Sequence, residues 1–483
     1  MRILQTFLTG GPISASATVA NLVSSGRTAV LVGSDALYAW HATGGSLLTG
    51  FPVEGRNFFA SRPLVTDLYG DGSANIIVGN DDDSLYGFDV FGKLLPGFPI
   101  KTGGDVYSSP AATDLTGDGL KEIVVGSDDG RVYVFRADGS ILPGWPRKTG
   151  GFVSASSRII DLDDDGQQEI IASSWDGRVY AWHWDGSLVS GWPQKTGHFL
   201  WSSPFIADIT GDGKLEVLAA SDKIYSWAAD GSALPGWPQK TESYVVGTPV
   251  SANLFGGEPA VIAAADKLYA WNSEGEPLPE FPISFGTYFW STPLVADSFQ
   301  RSSLLLCGWN GCLYMIDSAL EIEVIQLSTQ PIFAKPTLAD IDGSGREELL
   351  VGAWDSKLYV VEISQGYQNG QQLQSSLQPK LAGNISSVLE ATPPFISFSG
   401  QGTSQDTMYY RPIGEETWHP VPLINLNGRP TGLIQPYPSG TTVSFWADIG
   451  GQREPVDGFY KYSVAPDIAG RLQRRVRRWL AKW

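Results

Sequence analysis

The sequence predicts an all-β protein whose larger part is an eight-bladed β-propeller, and its composition and an internal repeat lead to that fold class. Of its 483 residues, 56 are Gly and 17 are Trp, while charged residues make up 17%, less than the roughly 25% of an average soluble domain. Many glycines and aromatic residues with few charges are typical of β-rich chains with frequent turns. The repeat then defines how the strands are arranged.

An Asp or Asn recurs at intervals of 43–47 residues, at the end of the first strand-like segment of each repeat, and is called the anchor below. The eight anchors are Asn21, Asp67, Asp114, Asp161, Asp208, Asn253, Asp297 and Asp340. Four short apolar segments alternate with turn residues in each repeat; in the third they are "PAATD", "EIVVG", "RVYVF" and the segment around "GWPRKTG". Four strands at this period are typical of a propeller blade, whereas the repeats of an open β-solenoid, the alternative, are usually shorter and need end caps.

The two ends of the repeat region complement each other. The eighth repeat supplies only three strands, "PTLAD", "ELLVGAW" and "KLYVVEI", and "LQTFLTGG" at 4–11 fits the missing fourth strand. We therefore expect the propeller to span residues 1–363 and the N-terminal strand to close the ring, which leaves no exposed sheet edge.

The segment "DLTGDGLKEIVVGSDDGRVYVF" resembles the FG-GAP repeats of integrin α-subunit propellers and of many bacterial proteins. The resemblance covers residues 1–363 and implies the fold. It implies no single function, because the family includes adhesins, sugar-binding proteins, polysaccharide lyases and structural scaffolds. Integrin-type rings have seven blades, so eight repeats depart from that pattern, although eight-bladed calcium-bearing rings occur among bacterial polysaccharide lyases.

The loops that follow five of the anchors carry acids at alternate positions, an arrangement that supplies the hard oxygen ligands Ca²⁺ prefers. In the FG-GAP pattern the side-chain ligands occupy loop positions 1, 3, 5 and 9, and the calcium is structural. The predicted ligands are Asp161, Asp163, Asp165 and Glu169; Asp114, Asp118 and Glu122; Asp208, Asp212 and Glu216; Asp67, Asp71 and Asn75; and Asp340, Asp342 and Glu348. The alternative is a set of metal-free Asp-Gly turns whose carboxylates bind backbone amides. The loops belong to separate blades and cannot converge, which disfavours a catalytic metal.

Aromatic residues fall into two sets. One set recurs in nearly every repeat, on the third strand and in the "G-W/F-P" unit, and is expected to pack between blades. The other varies between repeats and is predicted to lie on the face opposite the acidic loops: Phe59, Tyr107, Trp175, Phe199, Trp201, Tyr288, Trp290, Trp309 and Trp354. These side chains would either form a platform for sugar rings or a protein partner, or fill the central channel.

Catalytic motifs are absent from the sequence: there is no G-x-S-x-G, H-E-x-x-H or P-loop, and only four histidines. The leading interpretation is a non-enzymatic recognition or scaffold protein. The alternative is a polysaccharide lyase with His183, His198 or a Lys as the base near the ring axis.

The pair Cys307 and Cys312 in "CGWNGC" is expected to be two free thiols, with "NG" as a two-residue turn that places Trp309 opposite Cys312.

The remainder of the chain is predicted to form three parts. Residues 364–394 are rich in Gln and Ser and are typical of a linker. Residues 395–466 resemble fibronectin type III or immunoglobulin-like modules on the run "YYRPIGEETWHPVPL" followed by "PSGTTVSFWAD". Residues 467–483 predict a basic amphipathic helix that docks into a protein assembly, through Arg471, Leu472, Arg475, Val476, Arg478, Trp479, Leu480 and Trp483.

The net charge of −18 disfavours nucleic acid as a partner, and no segment reaches the roughly 18 apolar residues of a membrane helix. The N-terminus lacks a signal-peptide pattern, which leaves three alternatives open: use in the cytoplasm, export without a cleaved signal, for example as part of an exported or released particle, or a signal that is not part of this sequence.

Overall fold

The structure is a computed structural model that describes residues 1–22, 28–254, 259–296 and 302–363, together with nine strands between residues 388 and 463. The chain divides into two compact units, residues 1–283 with 289–366 and residues 284–288 with 367–483. Each unit is described by itself.

The first unit contains eight four-stranded antiparallel sheets, which confirms the predicted eight-bladed propeller. The strands of blades 1–4, from the innermost outward, are β2 Thr18–Asn21, β3 Thr28–Gly33, β4 Ala36–His41 and β5 Val53–Glu54; β6 Leu64–Thr66, β7 Asn75–Asn80, β8 Ser84–Phe88 and β9 Ile100–Lys101; β10 Ala111–Thr113, β11 Glu122–Ser127, β12 Arg131–Phe135 and β13 Arg147–Lys148; and β14 Arg158–Ile160, β15 Glu169–Ser174, β16 Arg178–His183 and β17 Gln194–Lys195. Those of blades 5–8 are β18 Phe205–Ala207, β19 Glu216–Ala220, β20 Lys223–Ala228 and β21 Gln239–Lys240; β22 Val250–Ala252, β23 Ala260–Ala264, β24 Lys267–Trp271 and β25 Ile283–Ser284; β26 Leu294–Ala296, β27 Ser303–Cys307, β28 Cys312–Asp317 and β29 Ile322–Gln326; and β30 Thr337–Ala339, β31 Glu348–Ala353, β32 Lys357–Glu362 and β1 Arg2–Leu8.

The second strand of every blade is the most deeply buried. In β11 and β15 every residue is buried, and their sequences, "EIVVGS" and "EIIASS", are apolar over consecutive positions rather than alternating. This pattern results because a neighbouring blade covers each face of the sheet, so side chains on both faces enter a core. The innermost strands are only three or four residues long and partly accessible, since they line the central channel.

Neighbouring blades share apolar clusters, and the periodic aromatic residues belong to them, as predicted. Trp145 is only 7% exposed and packs against Trp182 of the next blade at a ring-centroid distance of 5.9 Å. Its indole Nε1 also donates a hydrogen bond of 2.8 Å to the carbonyl oxygen of Trp184. The same interblade bond recurs from Trp192 and Trp237. In the five "G-W/F-P" units, and in the equivalent "EFP" at 280–282, the peptide bond before Pro is cis.

The ring is closed by β1, which pairs antiparallel with β32 from Arg2↔Glu362 to Leu8↔Lys357. Phe7 of β1 is 2% exposed and joins a core cluster that contains side chains of both blade 8 and blade 1. The hydroxyl of Thr337 in blade 8 donates a hydrogen bond of 2.9 Å to the carbonyl oxygen of Ala17 in blade 1. These contacts confirm the predicted closure by the N-terminal strand.

The turn between β27 and β28 differs from the prediction. Gly308, rather than Trp309, lies opposite Cys312 and donates a backbone hydrogen bond of 2.9 Å to its carbonyl oxygen. The loop thus has three residues, 309–311, and Gly311 at its end adopts φ of 75° in the left-handed region. Both cysteines are free and buried, as expected, and burial raises the pKa of Cys312 to about 12.

The nine strands described between residues 388 and 463 form two antiparallel sheets. Their strands are β33 Val388–Thr392, β34 Phe395–Phe398, β35 Thr407–Pro412, β36 His419–Pro422, β37 Ile424–Leu426, β38 Arg429–Leu433, β39 Thr442–Ile449, β40 Gln452–Glu454 and β41 Tyr460–Ser463. One sheet has the order β33-β34-β38-β37 and the other β36-β35-β39-β40, with β41 paired to β39. Strand β33 falls inside the segment predicted as a linker. The fibronectin-like assignment stays a prediction, and the predicted helix at 467–483 lies outside the described residues.

Replacing Phe7 by Ala is expected to lower the free energy of unfolding by about 3–5 kcal/mol, because it opens a cavity where blades 8 and 1 meet. Urea unfolding followed by tryptophan fluorescence measures the change. The matched control is Leu8→Ala on the same strand, whose side chain is 66% exposed and whose loss is expected to have little effect. Equal destabilisation by the two variants would contradict closure of the ring through β1.

Candidate functional site: two faces of the propeller

The propeller has two chemically different faces. The loops between the first and second strands, which follow the anchors, lie on one face, called here the acidic face. The connections between blades and the turns between the second and third strands lie on the other, called here the aromatic face. Backbone hydrogen bonds join the elements of the aromatic face, as from Trp175 N to Phe152 O at 2.9 Å and from Trp354 N to Pro331 O at 3.1 Å. On the acidic face, Lys121 N donates to Leu68 O of the neighbouring loop.

The five acidic loops share one backbone frame. In the loop of blade 4, Asp161 accepts hydrogen bonds from the backbone N–H groups of Asp165 at 3.1 Å and Gly166 at 2.9 Å. Gly166 adopts φ of 86°, a left-handed conformation that favours glycine at this point of the turn. The anchors that hold their loops in the same way are Asp67, Asp114, Asp208 and Asp340.

The ninth residue of each loop begins the second strand of its blade and is buried. Glu169 is fully buried, and its Oε2 accepts a hydrogen bond of 2.9 Å from Leu162 N. Burial raises its pKa, while that bond and its contact with the His183 imidazole lower it. The same burial and backbone bond occur at the equivalent residues Asn75, Glu122, Glu216 and Glu348. A carboxyl group out of water either takes up a proton or pairs with a positive charge, and a cation in the loop would supply that charge.

Three of the loops bring three carboxylates together, with ligand oxygens that all lie within 4.8 Å of one another. The groups are Asp161, Asp163 and Glu169; Asp208, Asp212 and Glu216; and Asp340, Asp342 and Glu348. This spacing fits Ca²⁺, whose bonds to oxygen are about 2.3–2.6 Å, so two ligands on opposite sides of the ion lie up to about 5 Å apart. The donor set, consisting only of oxygen, also matches calcium.

The other predicted ligands are placed differently. The carboxylates of Asp114, Asp118 and Glu122 do not form such a group. The backbone N–H of Gln167 donates to Asp165, which remains at the edge of the blade 4 cluster. In the loop of blade 2, which holds Asp71 and Asn75, the Tyr69 side chain packs into the core. The pKa of Asp67 is lowered, first by backbone hydrogen bonds, of which that from Gly72 N has the largest effect, and then by the nearby charge of Lys121.

On the aromatic face, six of the nine predicted side chains form a chain of ring contacts across blades 4 to 8. Trp175 lies 4.4 Å from Trp201 and 5.2 Å from Phe199, measured between ring centroids. Trp290 lies 4.4 Å from Trp309, and Trp201 approaches Trp290 at 6.5 Å. Phe333 links Trp290 at 5.2 Å to Trp354 at 4.8 Å. This set is called the aromatic arc, and all of its members retain some solvent exposure.

Phe333 was missed by sequence reasoning, although a signal existed. It lies seven residues before its anchor, the position that Trp201 and Trp290 occupy in their own repeats. His198 was predicted only as a catalytic base, yet its ring packs 4.2 Å from Phe199 and 4.8 Å from Tyr244 at one end of the arc.

Three predicted face residues are not in the arc. Phe59 is 1% exposed and packs edge-on against Tyr86 at 5.4 Å, so the prediction that it faces a ligand is wrong. It belongs to the core between blades 1 and 2 because the connection turns its side chain inward. Tyr107 is half-buried, and its hydroxyl donates to Asp81 at 3.2 Å. Tyr288 is half-buried and is grouped with the second unit.

An open groove of about 260 Å³ lies at the end of the arc in blade 4. It is lined by Trp175, Asp176, Gly177, Lys195, Thr196, Gly197, His198 and Phe199. Aromatic faces and a few polar groups around one concavity are typical of a ligand site.

The two histidines considered as bases lie on opposite faces of the ring. His183 contacts the buried Glu169 on the acidic face, with 3.2 Å between Nδ1 and Oε1, whereas His198 lines the groove on the aromatic face. They therefore cannot act in one site.

The predicted docking residues at 471–483 lie outside the described residues. The described residues include no helix with the length and apolar character needed to cross a membrane.

Comparison with known proteins agrees with this architecture. Residues 161–219 match the model of the FG-GAP-like repeat, a span that begins at the anchor of the best-preserved acidic loop. A search of curated proteins finds no significant match. Similar solved structures include the Sqt1 protein of Saccharomyces cerevisiae, with a TM-score of 0.58 and 11% identity over 75% of this chain and 99% of that one. BamB from Moraxella catarrhalis has a TM-score of 0.54 and 12% identity over 76% and 99%. The computationally designed Ika8 protein has a TM-score of 0.53 and 15% identity over 75% and 100%.

These low identities show the fold alone. Residues 161–219 thus contain an FG-GAP-like repeat, and the eight closed sheets form a β-propeller.

Proposed function

We propose that this protein is a non-enzymatic recognition protein that binds a glycan on the aromatic face of its propeller, with structural calcium on the acidic face. A propeller with FG-GAP repeats fits an interaction scaffold in general. The aromatic arc is the observation that carries the more specific proposal, because large aromatic side chains are gathered on one face with part of their surface open to solvent.

The groove beside Trp175 favours a sugar as the ligand. The ring faces of Trp175 and Phe199 offer apolar surface on which the C–H groups of a sugar stack, and Asp176, Lys195 and His198 offer hydrogen bonds to its hydroxyls. A protein partner would use the same aromatic side chains as anchors and is the alternative that the binding experiment separates.

Calcium is proposed to stiffen the acidic face. Each of the three carboxylate groups ties the start of a second strand to the loop that precedes it, so an ion there would link two strands of one blade. It would also neutralise a buried glutamate whose pKa burial raises, such as Glu216 or Glu348.

The lyase alternative depends on the aromatic face as well. Of its two candidate histidines only His198 lies beside the groove, where a sugar would bind. The two functions differ in a simple observable, because a lyase leaves unsaturated sugar ends and a binding protein does not.

Calcium in excess is expected to raise the melting temperature of the full chain relative to EGTA, since a ligand that binds only the folded state stabilises it by about 2.7 kcal/mol at a hundredfold excess over its Kd. Titration calorimetry is expected to show that the Asp163→Asn variant binds one calcium ion fewer per chain than the native protein. Asp164→Asn is the matched control, because Asp164 is exposed in the same loop with φ of 62°, which Asn also adopts readily. Identical melting curves in calcium and EGTA would remove the metal from the proposal.

Trp175→Ala is expected to weaken binding to a glycan by about 2 kcal/mol or more, because the side chain lines the groove and contacts both Phe199 and Trp201. The full chain is screened on an oligosaccharide panel, and the affinity for a selected sugar is measured by calorimetry. Trp184→Ala is the control, since Trp184 is 37% exposed but contacts Gln167 on the acidic face. Unsaturated sugar ends among the panel products would favour the lyase. If Trp175→Ala binds the glycan as the native chain does, the binding site lies elsewhere.

The C-terminal segment is proposed to dock the protein into a larger assembly. Deletion of residues 468–483 removes six basic residues and the predicted apolar stripe, so recovery of partner proteins in affinity purification is expected to fall sharply. Arg475→Gln is the matched variant that removes one charge while keeping the stripe. Full recovery of partners by the deleted chain would reject docking through this segment.

A further inference from the structure

The central channel is lined by the innermost strands and by the residues that lead into them. Every residue four positions before an anchor is buried, whereas seven of the eight residues five positions before it keep accessible surface. Most residues three, two and one positions before the anchors are partly accessible as well, so this part of each blade borders the channel. The residues five positions before the anchors are Ser16, Arg62, Ser109, Ser156, Ser203, Thr248, Thr292 and Lys335.

Serine and threonine are the usual residues at this position because their hydroxyls join one blade to the next. Ser109 Oγ accepts a hydrogen bond of 3.1 Å from Arg62 N, and Ser156 Oγ accepts one of 3.0 Å from Ser109 N. The bond recurs from Ser156 N to Ser203 Oγ and, farther round the ring, from Thr248 N to Thr292 Oγ1. A belt of hydroxyls therefore surrounds the channel near its opening on the aromatic face.

Three cationic side chains interrupt this uncharged lining. Arg62 and Lys335 replace the hydroxyl in blades 2 and 8, and Arg158 stands three positions before its anchor in blade 4, where the other blades carry Thr, Ala or larger apolar residues. All three side chains are exposed within the channel. No acid occurs at any of the five positions before any anchor, although the whole chain carries a net charge of −18.

The structure also leaves these charges without carboxylate partners. Arg62 Nε donates to Thr18 Oγ1 and Arg158 Nε donates to Pro204 O, both at 3.1 Å, so each guanidinium is oriented by an uncharged acceptor. In the described part of the chain none of the three forms an ion pair. Desolvation by the surrounding channel walls, and then the positive charges of Arg158 and Arg62, lower the pKa of Lys335, in agreement with the position of the three residues around one channel.

The propeller fold does not require a cation at these positions, as a comparison of the repeats shows. Five blades other than blade 1 hold a Ser or Thr where Arg62 and Lys335 stand, and those blades form the same sheet and the same interblade contacts. Three like charges inside a channel with protein walls destabilise the empty protein and focus a positive potential on the axis. Such a potential attracts an anion with more than one negative charge.

We propose that the central channel binds a multivalent oxyanion, phosphate or sulfate or an ester of either, between Arg62, Arg158 and Lys335. Guanidinium groups match the oxygens of such an anion geometrically, and the Lys ammonium adds a third charge-assisted hydrogen bond. The hydroxyls of Ser109 and Ser156 lie at the same level of the channel. The site is independent of the acidic loops and of the groove beside Trp175.

Calorimetric titration of the full chain in EGTA tests the site with inorganic phosphate, sulfate and phenyl phosphate. One anion per chain is expected, and Lys335→Gln is expected to weaken binding by about tenfold or more. The matched control is Lys148→Gln, which removes one charge from the outermost strand of blade 3 and is expected to leave the affinity unchanged. Tighter binding of phenyl phosphate than of phosphate would identify an ester as the fitting form, since the arc residues Trp201 and Trp290 flank the opening; equal affinities would identify the free anion.

Thermal unfolding gives a second readout that a purely structural role would not produce. In chloride buffer Lys335→Gln is expected to melt at a higher temperature than the native chain, because it relieves repulsion among the three cations. Phosphate is expected to raise the melting temperature of the native chain and to have a smaller effect on the variant. The proposal is overturned if no oxyanion binds, or if Lys335→Gln together with Arg62→Gln and Arg158→Gln binds it as the native chain does.

Discussion

The pairing of β1 with β32 joins strands from opposite ends of the propeller sequence and turns eight stacked sheets into a ring. Each blade buries its two faces against its neighbours, so an open stack would leave one apolar face at each end. Phe7, Ile13 and Ala17 fill the last gap together with Leu358 and Val360. That closure creates the central channel and the two faces of the propeller, and it determines how far along the channel each side chain lies.

The closed ring also separates chemistries that the sequence interleaves. Within one repeat of about 45 residues, acids and aromatic residues alternate along the chain, yet the strands carry them to opposite ends of the blade. A six-residue strand such as β15 spans about 20 Å, with Glu169 at one end and Trp175 just beyond the other. Structural support and recognition can therefore occupy the same blade without interfering, and a change in one loop leaves the other face intact.

Much of the fold could be predicted from the sequence because the anchors repeat at a nearly constant interval. That interval gave the blade number, the closing strand and the placement of Trp175, Trp309 and Trp354 in turns on one face. It could not distinguish Phe58 from Phe59, since adjacent residues in an irregular connection point in directions that only tertiary packing decides. Nor could it reveal which acidic loops gather three carboxylates, because that depends on side-chain orientation within loops of nearly identical sequence.

The three cations of the channel are a second feature that the sequence could not predict. Arg62, Arg158 and Lys335 are far apart in the sequence and occupy two different positions relative to their anchors, so no local pattern connects them. Only the circular arrangement of blades 2, 4 and 8 brings them to one axis. Conversely, the hydroxyl belt would be visible in the sequence once the channel-facing positions are known.

The closing strand has one more consequence, which concerns how the propeller connects to other chain segments. Arg2 pairs with Glu362, so the polypeptide enters and leaves the ring on neighbouring strands of a single blade. A propeller with this topology can be inserted into another chain, or circularly permuted at the turns of a different blade, with little change in the positions of the other seven sheets. The propeller is therefore an autonomous structural unit whose connections to other chain segments lie close together on its rim.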